Sequence, residues 1–131
     1  MTLLLDTSIL IDVQRKENKV IQKLTELKKT HPQPACISFI NYFEFYSGLI
    51  EKNIKNRQIL MDFINKFNCL KASSITAQVL AELKNKYEKK GIVMGIADLI
   101  VASHAKEYNL VLITKDKAFE KIEDINKIIL D

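Results

Sequence analysis

The opening stretch LLLDTSILID, Leu3 to Asp12, constrains the fold more than any other part of the chain. Three leucines in succession run into Asp6, two hydroxyl residues follow, and a new apolar pattern starts at Ile9, Leu10 and Val13. A short continuous apolar run fits a strand buried on both faces, the strand of a parallel sheet covered by helices. Thr7 or Ser8 is expected to cap the helix that follows. Asp6 then leaves an inner strand at its carboxyl end, where open α/β sheets put their ligand sites. An ionised group does not stay in such a place without a partner, so a cation is expected over Asp6.

The remainder of the chain alternates in the same way. Helical periodicity is expected over Thr7 to about Lys16, and over Lys19 to Lys29, where Val20, Ile21, Leu24 and Leu27 share a face. His31 and Pro32 stop the second of these. A short strand near Ala35 to Ile37 leads to Ser38, an N-cap for a helix over Phe39 to Glu51. A helix over about Lys55 to Phe67 precedes a strand at Cys69 to Lys71. Ser74 is then expected to cap a long amphipathic helix that Gly91 ends. The last third gives a helix from Gly95 to Asn109 and a strand at Leu110 to Ile113. Strands separated by helices, with no hairpin signal, point to an α/β fold with a parallel sheet and right-handed crossovers.

Composition narrows the function classes. A chain of 131 residues, 47% hydrophobic, with three glycines and two prolines, is expected to form one domain, residues 1–131, rather than a disordered or linker-rich one. No stretch approaches the ~18 apolar residues of a membrane span. The opening run is too short for a signal-peptide core and contains Asp6, so a cytoplasmic protein without membrane partners is expected. Cys36 and Cys69 stand far apart with no nearby His, which fits core thiols rather than a zinc or redox site. The net charge of +4 rests on many lysines and only two arginines, Arg15 and Arg57. That pattern favours loose attraction to a polyanion over bidentate reading of bases.

Four acids are expected at one rim. Asp6 leaves the first strand and Asp116 follows the strand that ends at Ile113, so both stand at the same edge of the sheet. Asp98 falls in the first turn of a helix, flanked by Ile96, Ala97 and Leu99, which turns it away from open water. Glu44 lies on a helix rich in aromatic rings, Phe39, Tyr42, Phe43, Phe45 and Tyr46, where it shares a polar stripe with Asn41 and Gly48. Those rings read as core packing and a subunit interface rather than base stacking. Four converging carboxylates raise one another's pKa values unless a cation joins them. Oxygen-only ligands select hard ions, Mg2+ or Mn2+, over zinc. A metal–carboxylate site in a basic protein points to hydrolysis of a phosphodiester, with the ion acidifying a water and a further acid accepting the proton.

DTSILID, ISFINYFEFYSGL, and GIADLIVASHA followed by LVLITKDKAF together resemble the PIN-domain family, and within it the VapC-type toxins of toxin–antitoxin pairs. The resemblance spans nearly the whole chain. It implies a Rossmann-like three-layer fold, with a short parallel sheet covered by helices on both faces. It also implies metal-dependent endoribonuclease activity on RNA, a homodimer, and a cognate VapB-like antitoxin that blocks the site. The family's catalytic and metal-holding acids fall on Asp6, Glu44, Asp98 and Asp116, with Thr7, Ser8 and Thr114 as supporting hydroxyls. Phe45 stands where the family commonly has leucine, and the last acid is its most variable position. An RNA-processing nuclease, or an inert RNA-binding PIN domain without an antitoxin, is the alternative.

Other classes fit less well. A haloacid-dehalogenase-like phosphatase wants a second acid two residues after the first, where this chain has Ser8. A phosphoacceptor receiver domain has a late lysine that Lys115 matches, but the acidic pair it needs is missing. A paired-histidine ribonuclease would have to use His31 and His104. One follows a lysine-rich helix end and the other sits in mid-helix, where a surface or core role is the simpler reading.

Overall fold

The computed structural model describes all of residues 1–131. Five strands form one parallel sheet in the order β3-β2-β1-β4-β5: β1 (Leu3–Leu5), β2 (Cys36–Ser38), β3 (Asn68–Leu70), β4 (Val111–Thr114) and β5 (Asn126–Ile129). Six helices connect them: α1 (Thr7–Gln14), α2 (Asn18–Lys28), α3 (Phe39–Glu51), α4 (Arg57–Ile64), α5 (Ser74–Lys89) and α6 (Ile96–Glu107). A 3₁₀ turn at Lys117–Lys121 precedes β5. No helix is long and apolar enough to cross a membrane.

Side chains alternate across the sheet because successive Cβ atoms of a strand point to opposite faces. Leu3, Leu5, Ile37, Val111 and Ile113 join Ile9, Leu10, Val20, Phe45, Leu49 and Ile64 in one core, beneath α1 to α4. Leu4, Cys36 and Leu112 join Leu83, Tyr87, Val101, Ala102, Ala105 and Phe119 in the other, beneath α5 and α6. Helices therefore cover both faces, and the central strands read as unbroken apolar runs for that reason. On the second face Asp124 ties the end of α5 to α6: it accepts from Lys86 and Tyr87 at 2.7 Å each and from Lys106 at 2.9 Å. The Lys86 and Tyr87 bonds hold its carboxyl far below the usual range.

From β1 the chain moves outward to β2 and β3, then returns to add β4 on the other side of β1. The reversal opens a crevice at the carboxyl ends of β1 and β4, the place where such sheets bind ligands. Asp6 and Asp116 both follow strands that end there.

Several local expectations are corrected. Asp6, not Thr7 or Ser8, is the N-cap of α1: its backbone is extended (φ −74°, ψ 161°) and its carboxylate accepts from Thr7 N–H. Ser73, not Ser74, caps α5. The helix expected to reach Phe67 ends at Ile64, although Phe67 still packs edge-on against Phe63 with ring centroids 5.4 Å apart. The strand β5 and the 3₁₀ turn before it carry no strong periodicity and are additions to the expected order. Cys36 is buried in β2 and Cys69 half-buried in β3, both as free thiols. Burial pushes both thiols up.

Candidate active site

Asp6 is the buried centre of the crevice, 8% exposed. Neutral donors bond both of its oxygens. Thr114 Oγ1 donates to Asp6 Oδ2 at 2.6 Å, while Oδ1 accepts from Thr7 N–H at 2.9 Å and Asn41 Nδ2 at 3.3 Å.

Asn41 joins the elements. Held in the first turn of α3 by a reciprocal capping box, it accepts from Ser38 N–H at 3.0 Å through Oδ1. Its amide also donates to Thr7 Oγ1 at 3.1 Å, and Thr7 in turn donates to Glu44 Oε1 at 2.7 Å. Glu44, one turn along α3, is exposed and so faces the opening rather than the core. Thr114 links the other side: its Oγ1 accepts from Asp116 N–H at 3.0 Å, and Asp116 caps the 3₁₀ turn by accepting from Ala118 N–H at 2.9 Å. Ser8 bonds none of the four acids; it accepts from Lys115 N–H at 3.4 Å. Lys115 itself is committed to Asp12, 2.8 Å away on α1.

Asp98 enters in the first turn of α6, where Gly95 is the N-cap. It is half-buried, and its carboxyl is pushed up to about 6, first by desolvation and then by repulsion from Asp116, Asp6 and Glu44. The four acids expected together thus share one electrostatic neighbourhood. No three His, Cys, Asp or Glu side chains stand close enough to grip an ion directly. The donors are all oxygen, and their repulsion is of the kind a divalent cation relieves, so the chemistry of the set fits a hard ion that keeps part of its water shell.

Two residues that the sequence reading left out of the site belong to its framework. Asn41 is fully buried, and its place on the stripe with Glu44 was the available signal. Ser38 is also fully buried and sits beneath it. A cleft of about 560 Å3 shares no residue with the acid rim. It lies between α2 and α4, lined by Leu3, Leu5, Ile21, Leu24, Phe63 and Phe67 with Lys28 and Lys66, and carries no carboxylate. Such a lining suits a protein segment rather than a metal or a polyanion. His31 lies away from the rim, with Nδ1 at 2.6 Å from the Met1 carbonyl.

Comparison with known proteins gives a consistent result. The sequence profile of the PIN domain matches residues 3–125. A protein named Ribonuclease VapC1 from Methanocaldococcus jannaschii is 30% identical over 130 residues, covering 98% of this chain and 87% of its own. The structure of VapBC2 from Rickettsia felis, bound to a DNA fragment from the promoter, superposes with a TM-score of 0.87 at 27% identity over 100% of both chains. A toxin–antitoxin complex from Klebsiella pneumoniae gives 0.74 at 25% identity, covering 97% of this chain and 96% of the other.

Proposed function

The chain belongs to the PIN domain family, and from that premise we propose that it is a Mg2+- or Mn2+-dependent endoribonuclease, the toxin of a toxin–antitoxin pair. The observation that carries the reading is the hydrogen-bonded array that joins three of the acids at the β1–β4 crevice: Thr7 and Asn41 link Glu44 to Asp6, and Thr114 links Asp6 to Asp116. In this reading Asp6, Glu44, Asp98 and Asp116 hold the ion. When bound, it supplies Lewis acidity and a more acidic water. Thr114 and Asn41 fix both oxygens of Asp6, so that carboxylate is oriented before any ligand arrives. Thr7 does the same for Glu44. A carboxylate of the rim would accept the proton of the attacking water. The lysine-rich surface supplies general attraction for the RNA backbone.

Cleavage of a labelled RNA is expected to need Mg2+ or Mn2+ and to stop with excess chelator. Restoring the metal should restore it, and cleavage that persists in chelator would remove the metal from the mechanism. The partner belongs to the same proposal. The relatives' toxin–antitoxin complexes support a VapB-like antitoxin, and the apolar cleft between α2 and α4 would receive a segment of it.

A homodimer completes the reading. Phe43, Tyr46 and Ile50 recur at helical spacing on α3, and Phe43 and Ile50 are 61% and 55% exposed. An apolar stripe on a helix calls for cover, and a second copy supplies it. Sedimentation is expected to show a dimer that Phe43→Glu combined with Ile50→Glu converts to monomer. A parent that stays monomeric at high concentration would contradict this.

A further inference from the structure

Seven polar or charged residues are buried, and five of them, Asp6, Ser38, Asn41, His104 and Thr114, fall in one connected hydrogen-bond network beneath the acid rim. One is Asp6 itself, which Asn41 and Thr114 bond directly, with Ser38 bonded to Asn41. The fifth, His104, follows Asp98 on the same helix α6, is fully buried, and bonds none of the four acids.

Its partners determine its form. Nε2 lies 3.2 Å from the carbonyl oxygen of Lys71, which can only accept, so Nε2 carries the proton. Nδ1, 2.9 Å from Ser38 Oγ, is then bare and accepts from the serine hydroxyl. Ser38 Oγ in turn accepts from Ile40 N–H at 3.3 Å, which makes it the N-cap of α3. Ser38 N–H goes to Asn41 Oδ1. With the imidazole neutral and Nε2 protonated, every bond in the series has one direction. A second proton, on Nδ1, would reverse the Ser38 bond, making the hydroxyl oxygen the acceptor and freeing its own proton from the ring. Burial favours the neutral ring, holding the imidazole below its ordinary pKa.

We propose that His104, as the neutral Nε2–H tautomer, is a positioning residue that ties the helix carrying Asp98 to the N-cap of the helix carrying Asn41 and Glu44, and so sets how the rim carboxylates stand relative to one another. α3 and α6 pack against each other, but apolar contact alone leaves their relative sliding weakly specified, whereas a directional bond between a helix interior and a helix cap fixes it. Catalytic geometry is sensitive to shifts of that size. A histidine serving only as a satisfied core residue would instead change stability and nothing else.

The inference rests on the nuclease reading for its kinetic test but not for its spectroscopic one. His104→Gln and Ser38→Ala each break the link from a different side. Ser103→Ala, which removes another buried hydroxyl of α6 bonded to Leu99 O, serves as the control. Per folded molecule, His104→Gln and Ser38→Ala are expected to lower kcat by about tenfold or more with KM within about twofold. Combining the two should add little, because both remove one link. Ser103→Ala should keep the parent kcat. Nitrogen NMR of the parent imidazole should show the Nε2–H tautomer at pH 7, and in Ser38→Ala the Nδ1 resonance should move as its donor is lost. Unchanged kcat per folded molecule in both variants, or an Nδ1–H or cationic imidazole at pH 7, would overturn the proposal. If the parent cuts no RNA, the nuclease reading fails, while the NMR result still decides whether the link exists.

Discussion

Asp98→Asn is expected to lower RNA cleavage by at least about a hundredfold while its metal-free form melts at the same temperature as the parent or higher. The two effects have one origin. Asp98 is pushed up to about 6 by desolvation and by Asp116, Asp6 and Glu44, so its ionised form is unfavourable in the folded protein without a cation. An amide of the same shape removes the charge, and with it the anionic group that the proposed site would offer a metal. The penalty removed is on the order of 1–2 kcal/mol once solvent on the open side of this half-buried group is allowed for. Sites shaped for function commonly give up stability in this way.

The same shift fixes a pH dependence. Because the folded-state pKa lies above the ordinary value of 3.8, the folded state binds more protons between the two. The contribution of Asp98 to metal-free stability is therefore fully present below about pH 4 and is lost as the pH rises through about 6. Comparing melts of parent and variant across this window isolates it. If Asp98 were only a charge at the start of a helix, the variant would lose a little stability at neutral pH and keep its activity. Thermal melts beside a cleavage assay distinguish the two outcomes.

Asn41→Ala should be the costliest single change in the site's framework, about 2–4 kcal/mol. Asn41 is fully buried and makes three bonds at once, from Ser38 N–H, to Asp6 and to Thr7. Truncation opens the capping box of α3 and strands the buried Ser38 N–H, and a buried donor without a partner costs more than the bond itself was worth. Cleavage per folded molecule should fall by about tenfold or more, since Asp6 and Thr7 both lose a donor that orients them. The denaturant midpoint measures the first effect and single-turnover cleavage the second. A loss under about 1 kcal/mol with parental cleavage would mean that water replaces the amide without consequence.

Most of the fold is legible in the sequence because its strong signals are local. Leu3 to Leu5 and Val111 to Ile113 are continuous apolar runs, and Phe39 to Glu51 has a clear cap and period, so these elements fall where the pattern puts them. The edge strand Asn126–Ile129 begins with Asn and Lys and is only partly buried, which leaves neither a period-two nor a continuous apolar signal. Cap identity is illegible for a different reason. Asp6, Thr7 and Ser8 can all cap, as can Ser73 and Ser74, and the choice rests on which backbone is extended, a matter settled by the end of the preceding strand or loop.

The candidate site divides along the same line. Asp6, Glu44, Asp98 and Asp116 are visible as acids at predictable ends of elements. The bonds that orient Asp6 are not, because Asn41 and Thr114 reach it only through tertiary contact, and Thr114 enters the sequence reading only through the family resemblance. The cost of burying a charge at Asp6 is visible in the sequence, but the hydroxyl, backbone amide and side-chain amide that meet part of it are not.

The central claim is that these four carboxylates act together as one divalent-metal site. Calorimetric titration of Mn2+ into the parent and into Asp98→Asn, at pH 7 and without RNA, tests it without depending on the choice of substrate. Saturable binding by the parent is expected, with binding weakened by about tenfold or more in the variant. Equal affinity in the two proteins, or no binding by the parent, would contradict it.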